Sequence, residues 1–130
     1  MADMLQFDLV SPERMLLSTE ASAAQIPGIE GDFTAMPMHA PFLTTLRPGW
    51  VTVTTGKGEA RYFVTGGFAE ISPESASVLA EEAAESADLD RAFVERKLEE
   101  AQSAHEAAPD HAKAAAAQTV SDFRAALDLV

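Results

Sequence analysis

Residues 50–65 read Trp50-Val51-Thr52-Val53-Thr54-Thr55-Gly56-Lys57-Gly58-Glu59-Ala60-Arg61-Tyr62-Phe63-Val64-Thr65, two β-branched and aromatic runs on either side of a glycine-bounded turn. Side chains on a pleated strand alternate between faces, and these residue types fit a half-buried sheet, so the stretch predicts two antiparallel strands joined across residues 55–60. The same grammar extends toward the N-terminus. Leu5 to Val10 precedes Ser11-Pro12-Glu13-Arg14, and further turns fall at Pro27-Gly28, Arg47-Pro48-Gly49, Gly66-Gly67 and Ser72-Pro73-Glu74. Phe7 and Leu9 share one face while Asp8 points away. Repeated turns in fewer than 90 residues leave no room for helices between strands, and each half-buried sheet needs a second layer over its apolar face. The expectation is an antiparallel β-sandwich.

Beyond residue 85 the composition changes. All seven glycines lie at or before Gly67, and Ala supplies 12 of the 43 residues from Asp88 to Val130. Asp88 fits a helix N-cap, after which Leu89, Phe93, Val94, Leu98, Ala101 and Ala104 recur at helical spacing. Pro109 ends that helix, Asp110 restarts the chain, and Ala116, Val120, Phe123 and Leu127 form a second narrow stripe. The short link predicts an antiparallel two-helix hairpin. It is lean in large apolar residues, so docked and mobile arrangements are equally compatible with the sequence. The predicted organisation is a sandwich over residues 1–86 and a helical hairpin over residues 87–130.

The chain has 130 residues, and its 21 Asp plus Glu against 9 Lys plus Arg give a formal net charge of −12. That field repels phosphate backbones and anionic headgroups, which argues against nucleic acid as a partner. Without cysteine there is no thiol nucleophile, disulfide or thiolate metal site. The longest stretch free of formal charge, Phe33 to Leu46, contains Pro37 and Pro41 and is too short to cross a bilayer. Asp3 stands where a signal peptide needs positive charge, so a soluble, cytoplasmic protein is expected.

Catalytic patterns are sparse. His39, His105 and His111 do not have the i, i+4 spacing of a helical zinc pair, and no HExxH or GxSxG is present. Gly28-Ile29-Glu30-Gly31 matches no phosphate loop, and Glu30 would set negative charge against a nucleotide's phosphates. A turn between strands explains Glu30 and Asp32 without catalysis. The segment from Pro27 to Leu46 is unusual in being low in charge yet carrying Met36, Met38, Phe42 and Leu43 around His39-Ala40-Pro41. Two readings stay open for it: a strand and turn packed inward, or an exposed apolar lip for docking, with Met supplying adaptable contacts.

Several ordered stretches carry a resemblance. Phe7-Asp8-Leu9-Val10-Ser11-Pro12-Glu13-Arg14 is followed by Pro27-Gly28-Ile29-Glu30-Gly31-Asp32-Phe33, His39-Ala40-Pro41 and Leu46-Arg47-Pro48-Gly49. Phe63-Val64-Thr65-Gly66-Gly67-Phe68-Ala69-Glu70 and Val78-Leu79-Ala80 complete the series. Together they resemble the epsilon-subunit family of the F-type proton-translocating ATP synthase over about residues 5 to 84. The resemblance implies a flattened β-sandwich followed by a helical hairpin. It also implies a non-catalytic central-stalk, or rotor, subunit that turns with gamma and the membrane ring of c subunits and couples proton translocation to ATP synthesis. Such a protein sits peripherally at the cytoplasmic face of the inner membrane, held there through the complex.

In that family the loop region equivalent to Gly31, Asp32 and His39 faces the c ring, which makes those residues contact candidates with Glu30 and Met38 as neighbours. One sandwich face is expected against gamma. The hairpin of related proteins can reach the beta subunit with basic residues and inhibit hydrolysis. Residues 88–130 here hold nine acids and five bases, and the second helix offers only Lys113 and Arg124, so at most mild regulation is expected. Some relatives bind ATP through an Ile/Leu-Asp-x-x-Arg-Ala pattern. This chain reads Leu89-Asp90-Arg91-Ala92-Phe93 and lacks that arginine, so weak or absent ATP binding and no cofactor are expected. Two other classes remain as rivals. One is a small hydrolase or isomerase using His39 with Asp32 or Glu30 as an acid/base pair, and the other is a free adaptor whose acidic hairpin binds a basic partner.

Overall fold

The computed structural model describes residues 4–86 and 91–127. The strands run β1 (Leu5–Val10), β2 (Met15–Ala21), β3 (Ala23–Gly28), β4 (Gly31–Ala35), β5 (Phe42–Leu46), β6 (Gly49–Thr55), β7 (Gly58–Val64), β8 (Gly67–Ile71), β9 (Ser75–Ala80) and β10 (Ala83–Glu85). They are followed by α1 (Arg91–Ala107), a 3₁₀ turn at Asp110–Ala112, and α2 (Lys113–Leu127). The chain divides into two compact units, Met1–Ser86 and Ala87–Val130.

The stretch from Trp50 to Thr65 forms the β6–β7 hairpin, with a tighter turn than its sequence suggests: Thr55 pairs with Gly58, leaving only Gly56 and Lys57 in the loop. The strand order is β10-β7-β6-β3-β5-β8-β9-β1-β2, with β4 on β3. The single pair Gly28–Leu46 links β3 to β5 and is the narrow join between two five-stranded halves. Both halves feed one core. Leu5, Phe7 and Leu9 of β1 and Val78 of β9 meet Ile26 of β3, Val51 and Val53 of β6 and Val64 of β7, all at most 1% exposed. Each such side chain contributes about 1.5–3 kcal/mol by leaving water, so this sandwich interior outweighs every polar contact on its surface.

The sandwich is antiparallel with one exception among the described residues. β1 and β9 pair in parallel, Phe7 opposite Ala76 and Leu9 opposite Val78, which ties the start of the sandwich to its end. That pairing joins segments about 70 positions apart, and local alternation carries no sign of it. Alternation does fix the faces: Asp8 points outward and accepts hydrogen bonds from Ser18 Oγ at 2.6 Å and Gln6 Nε2 at 3.1 Å. Pro27 lies in β3 beyond Gln25, the last β3 residue paired with β6, so its missing N–H interrupts no ladder there.

In the helical unit α1 and α2 pack on each other. Val94 and Ala101 of α1 and Val120, Phe123 and Ala126 of α2 are buried, whereas Ala104, expected on the apolar stripe, is exposed. The stripe is thus narrower than its periodicity suggests. Lys113 Nζ donates to the His105 carbonyl at 3.2 Å, capping the end of α1 with a cation where orphan carbonyls gather. The expected N-cap Asp88, with Leu89 and Asp90, lies outside the described residues.

Candidate functional site

The β3–β4 turn is built by close backbone approach. A Cβ on Gly28 would fall 2.7 Å from the Gly31 carbonyl oxygen and 3.2 Å from the Phe33 ring, so only glycine lets the strands close over two residues, Ile29 and Glu30. The turn is fastened to the end of β5: Ile29 N–H donates to the Thr45 carbonyl at 2.9 Å and Arg47 N–H to the Pro27 carbonyl at 3.1 Å. Glu30, Gly31 and Asp32 are all exposed. The Arg47 guanidinium donates to the Asp32 carboxylate, bracing the turn with an ion pair that water still reaches.

The β4–β5 loop holds the other candidates. Met38 adopts a left-handed φ of 69°, its N–H donates to the Pro73 carbonyl at 2.8 Å, and His39 N–H donates back to the Met36 carbonyl at 3.1 Å. His39 Nδ1 lies 2.6 Å from the Ala40 carbonyl oxygen, which can only accept, so that nitrogen carries the proton. The imidazole sits 6.5 Å from Phe42, whose ring meets Phe33 edge-on at 5.2 Å. Met36, Phe42 and Leu43 are exposed, as the lip reading of this segment requires.

The candidates form two groups, with Glu30, Gly31 and Asp32 at the start of β4 and Met38 and His39 in the loop after its end. β4 itself spans about 13 Å at the usual rise per residue. Neighbours on a strand face opposite ways, so with Phe33 turned toward the Phe42–His39 stack, Asp32 points away from it. The acid/base alternative therefore fails. His39 is committed to the Ala40 carbonyl, Asp32 to Arg47, and neither Asp32 nor Glu30 hydrogen-bonds the imidazole. Among the described residues no group of His, Asp and Glu could hold a metal ion.

A third surface was missed in the sequence. Thr45 pairs with Phe68, Phe68 with Leu79, Leu79 with Val10 and Val10 with Met15. One row across five strands thus carries Phe68, Leu79 and Met15 outward, each 52–58% exposed, with half-buried Val10 among them. The row beside it runs Leu43, Glu70, Ser77, Asp8 and Ser18, apolar only at its β5 end. Large apolar residues aligned on the wet face of a stiff sheet mark a contact surface. The available signal was Phe68 in Gly67-Phe68-Ala69-Glu70-Ile71, an aromatic residue at an outward phase.

In the helical unit, an open groove of about 540 Å³ between α1 and α2 is lined by Gln102, His105, Glu106, Val120, Ser121 and Arg124. On α1 the Phe93 ring has the Arg96 guanidinium 5.5 Å and the Lys97 ammonium 5.7 Å from its centre. No helix among the described residues is long and apolar enough to cross a membrane.

Residues 4–86 match the family model described as "ATP synthase, Delta/Epsilon chain, beta-sandwich domain". The ATP synthase epsilon chain of Rhodobacter capsulatus is 50% identical over 125 residues, covering 96% of this chain and 95% of that protein. That of Ruegeria sp. (strain TM1040) is 54% identical over 110 residues, covering 85% and 80%. Among solved structures, a chain in the Euglena gracilis mitochondrial ATP synthase, in an OSCP/F1/c-ring assembly, superposes with a TM-score of 0.72 at 22% identity, covering 95% of this chain and 81% of that one, a likeness of fold. Sandwich match, near-full-length identity and shared fold agree: the chain belongs to the ATP synthase epsilon chain family.

Proposed function

We propose that this chain is a non-catalytic part of the central stalk of an F-type ATP synthase, linking the c ring to gamma and coupling proton translocation to ATP synthesis. Half-identity with the Rhodobacter capsulatus epsilon chain over nearly the whole length of both proteins carries this reading. The physical logic agrees with it. A part that transmits torque needs a stiff body, which the closed sandwich core supplies, and surfaces that stay bound while the assembly turns.

Two surfaces suit those contacts. The apolar row of Phe68, Leu79, Val10 and Met15 fits gamma, since it is broad, flat and built on paired strands. Glu30, Gly31, Asp32, Met38 and His39 fit the polar loops of the c ring, since they lie in or beside the β3–β4 turn and the β4–β5 loop, which are fastened to β5 and to Pro73. The hairpin is a weak regulator of hydrolysis through the beta subunit, limited by its scarcity of cations. The chain then works at the cytoplasmic face of the inner membrane, held peripherally through the complex.

Add-back to ATP synthase stripped of this chain tests the reading. Restored ATP-driven proton pumping, with gamma and c subunits recovered alongside, is the expected result. Recovery of neither gamma nor c subunits in a pull-down from native membranes would sink it.

A further inference from the structure

We propose that Met38 is an oxidation-sensitive docking residue: a thioether held outward by left-handed backbone, whose conversion to the sulfoxide by hydrogen peroxide loosens the contact made by the β4–β5 loop. The inference rests on the docking role assigned above to that loop and adds its regulation.

Three observations carry it. Met38 is 77% exposed, the most exposed of the described large apolar residues, ahead of Met15, Met36 and Met4. Its φ of 69° is a conformation that a residue with a Cβ adopts only at a cost, and it is the only described non-glycine residue with positive φ. Its N–H is fixed to the Pro73 carbonyl at 2.8 Å and the following N–H to the Met36 carbonyl at 3.1 Å, so the backbone that carries the side chain is held on both sides. Strain kept where glycine would relieve it implies that the exposed side chain is worth keeping. The chain has no cysteine, so thioethers are its only sulfur.

The chemistry is balanced by peroxide alone. The thioether lone pair attacks one peroxide oxygen, an S–O bond forms as the O–O bond breaks, and the second oxygen leaves as hydroxide, which takes the proton from the sulfur-bound oxygen to give water and the neutral sulfoxide. Sulfur loses two electrons and peroxide gains them. The product is polar where the thioether was a soft apolar contact, and methionine sulfoxide reductase reverses it.

The test uses the full chain with limiting hydrogen peroxide, peptide mapping by mass spectrometry, and affinity for ATP synthase stripped of this chain. Met38 should oxidise about threefold faster than Met15, Met36 or Met4, and wild-type affinity should fall about fivefold or more, returning after reductase treatment. Met38→Leu, whatever its starting affinity, should keep that affinity within about twofold through the same treatment. Faster oxidation at Met15 or Met36, or an equal peroxide loss in Met38→Leu, overturns the proposal. Met38→Gln separates the two ideas. If it binds like the untreated wild type, the docking role of the loop fails and the redox inference with it. If it binds weakly while peroxide-treated wild type does not, only the redox inference fails.

Discussion

Gly67 and Leu79 approach so closely across β8 and β9 that a Cβ on Gly67 would lie 2.0 Å from the Leu79 carbonyl oxygen, and Gly67 holds a φ of +133° besides. A methyl group there meets rigid paired backbone and a torsion that L residues rarely adopt. Gly67→Ala should therefore cost about 3 kcal/mol or more, measured by urea unfolding. A loss below about 1 kcal/mol would mean that β8 and β9 can part without disturbing the core.

Inward and outward phenylalanines should respond in opposite ways. Phe7→Ala empties a fully buried site and should cost about 3–5 kcal/mol in unfolding free energy. Phe68→Ser combined with Leu79→Ser trims side chains that are about half exposed and lie outside the core, and should cost less than Phe7→Ala, about 1–2 kcal/mol, while weakening association with gamma about tenfold or more in co-sedimentation. Unchanged association would remove the apolar row from the docking account.

The Arg47–Asp32 pair is partly exposed, 28% and 47% at the two side chains, so solvent screens it. A double-mutant cycle with Asp32→Asn and Arg47→Met should give a coupling of about 0.2–1 kcal/mol that shrinks as salt rises. The functional effect should exceed that small energy, with coupled ATP synthesis falling more than hydrolysis. Equal losses of both activities would point to misassembly instead.

For His39→Ala, the expected result is a small fall in melting temperature from loss of the Ala40 and Phe42 contacts, and reduced coupling in the rebuilt complex. The isolated wild-type chain should turn over no ester or isomerisable substrate. Turnover abolished by His39→Ala would overturn the non-catalytic reading.

Deleting residues 88–130 should leave a cooperatively unfolding sandwich, because the core of β1–β9 is complete within Met1–Ser86. Hydrolysis by the complex should rise only slightly and coupling should persist. Calorimetry of the intact chain should detect no micromolar ATP binding, because Phe93 offers an apolar ring and no donor to a phosphate. A large release of hydrolysis would instead make the hairpin a strong brake.

Much was written locally. The alternation of Leu5, Phe7 and Leu9 around Gln6 and Asp8, and of Val51 and Val53 between threonines, assigns each side chain to core or solvent before any partner strand is known. Gly28, Gly67 and Pro109 mark the places where ordinary backbone cannot continue. The positions of Glu30 and Asp32 at a turn, and of α1 and α2 around Pro109, follow from the same short-range constraints. Other features depended on long-range pairing. The parallel register of β1 on β9 aligns Phe68, Leu79, Val10 and Met15 by setting Val10 beside Leu79, 69 positions away, and the length of β4 separates His39 from Asp32. Residue order thus determined which face each side chain takes, because alternation is a property of one strand. Tertiary structure alone decided which side chains stand side by side, because register is a property of two.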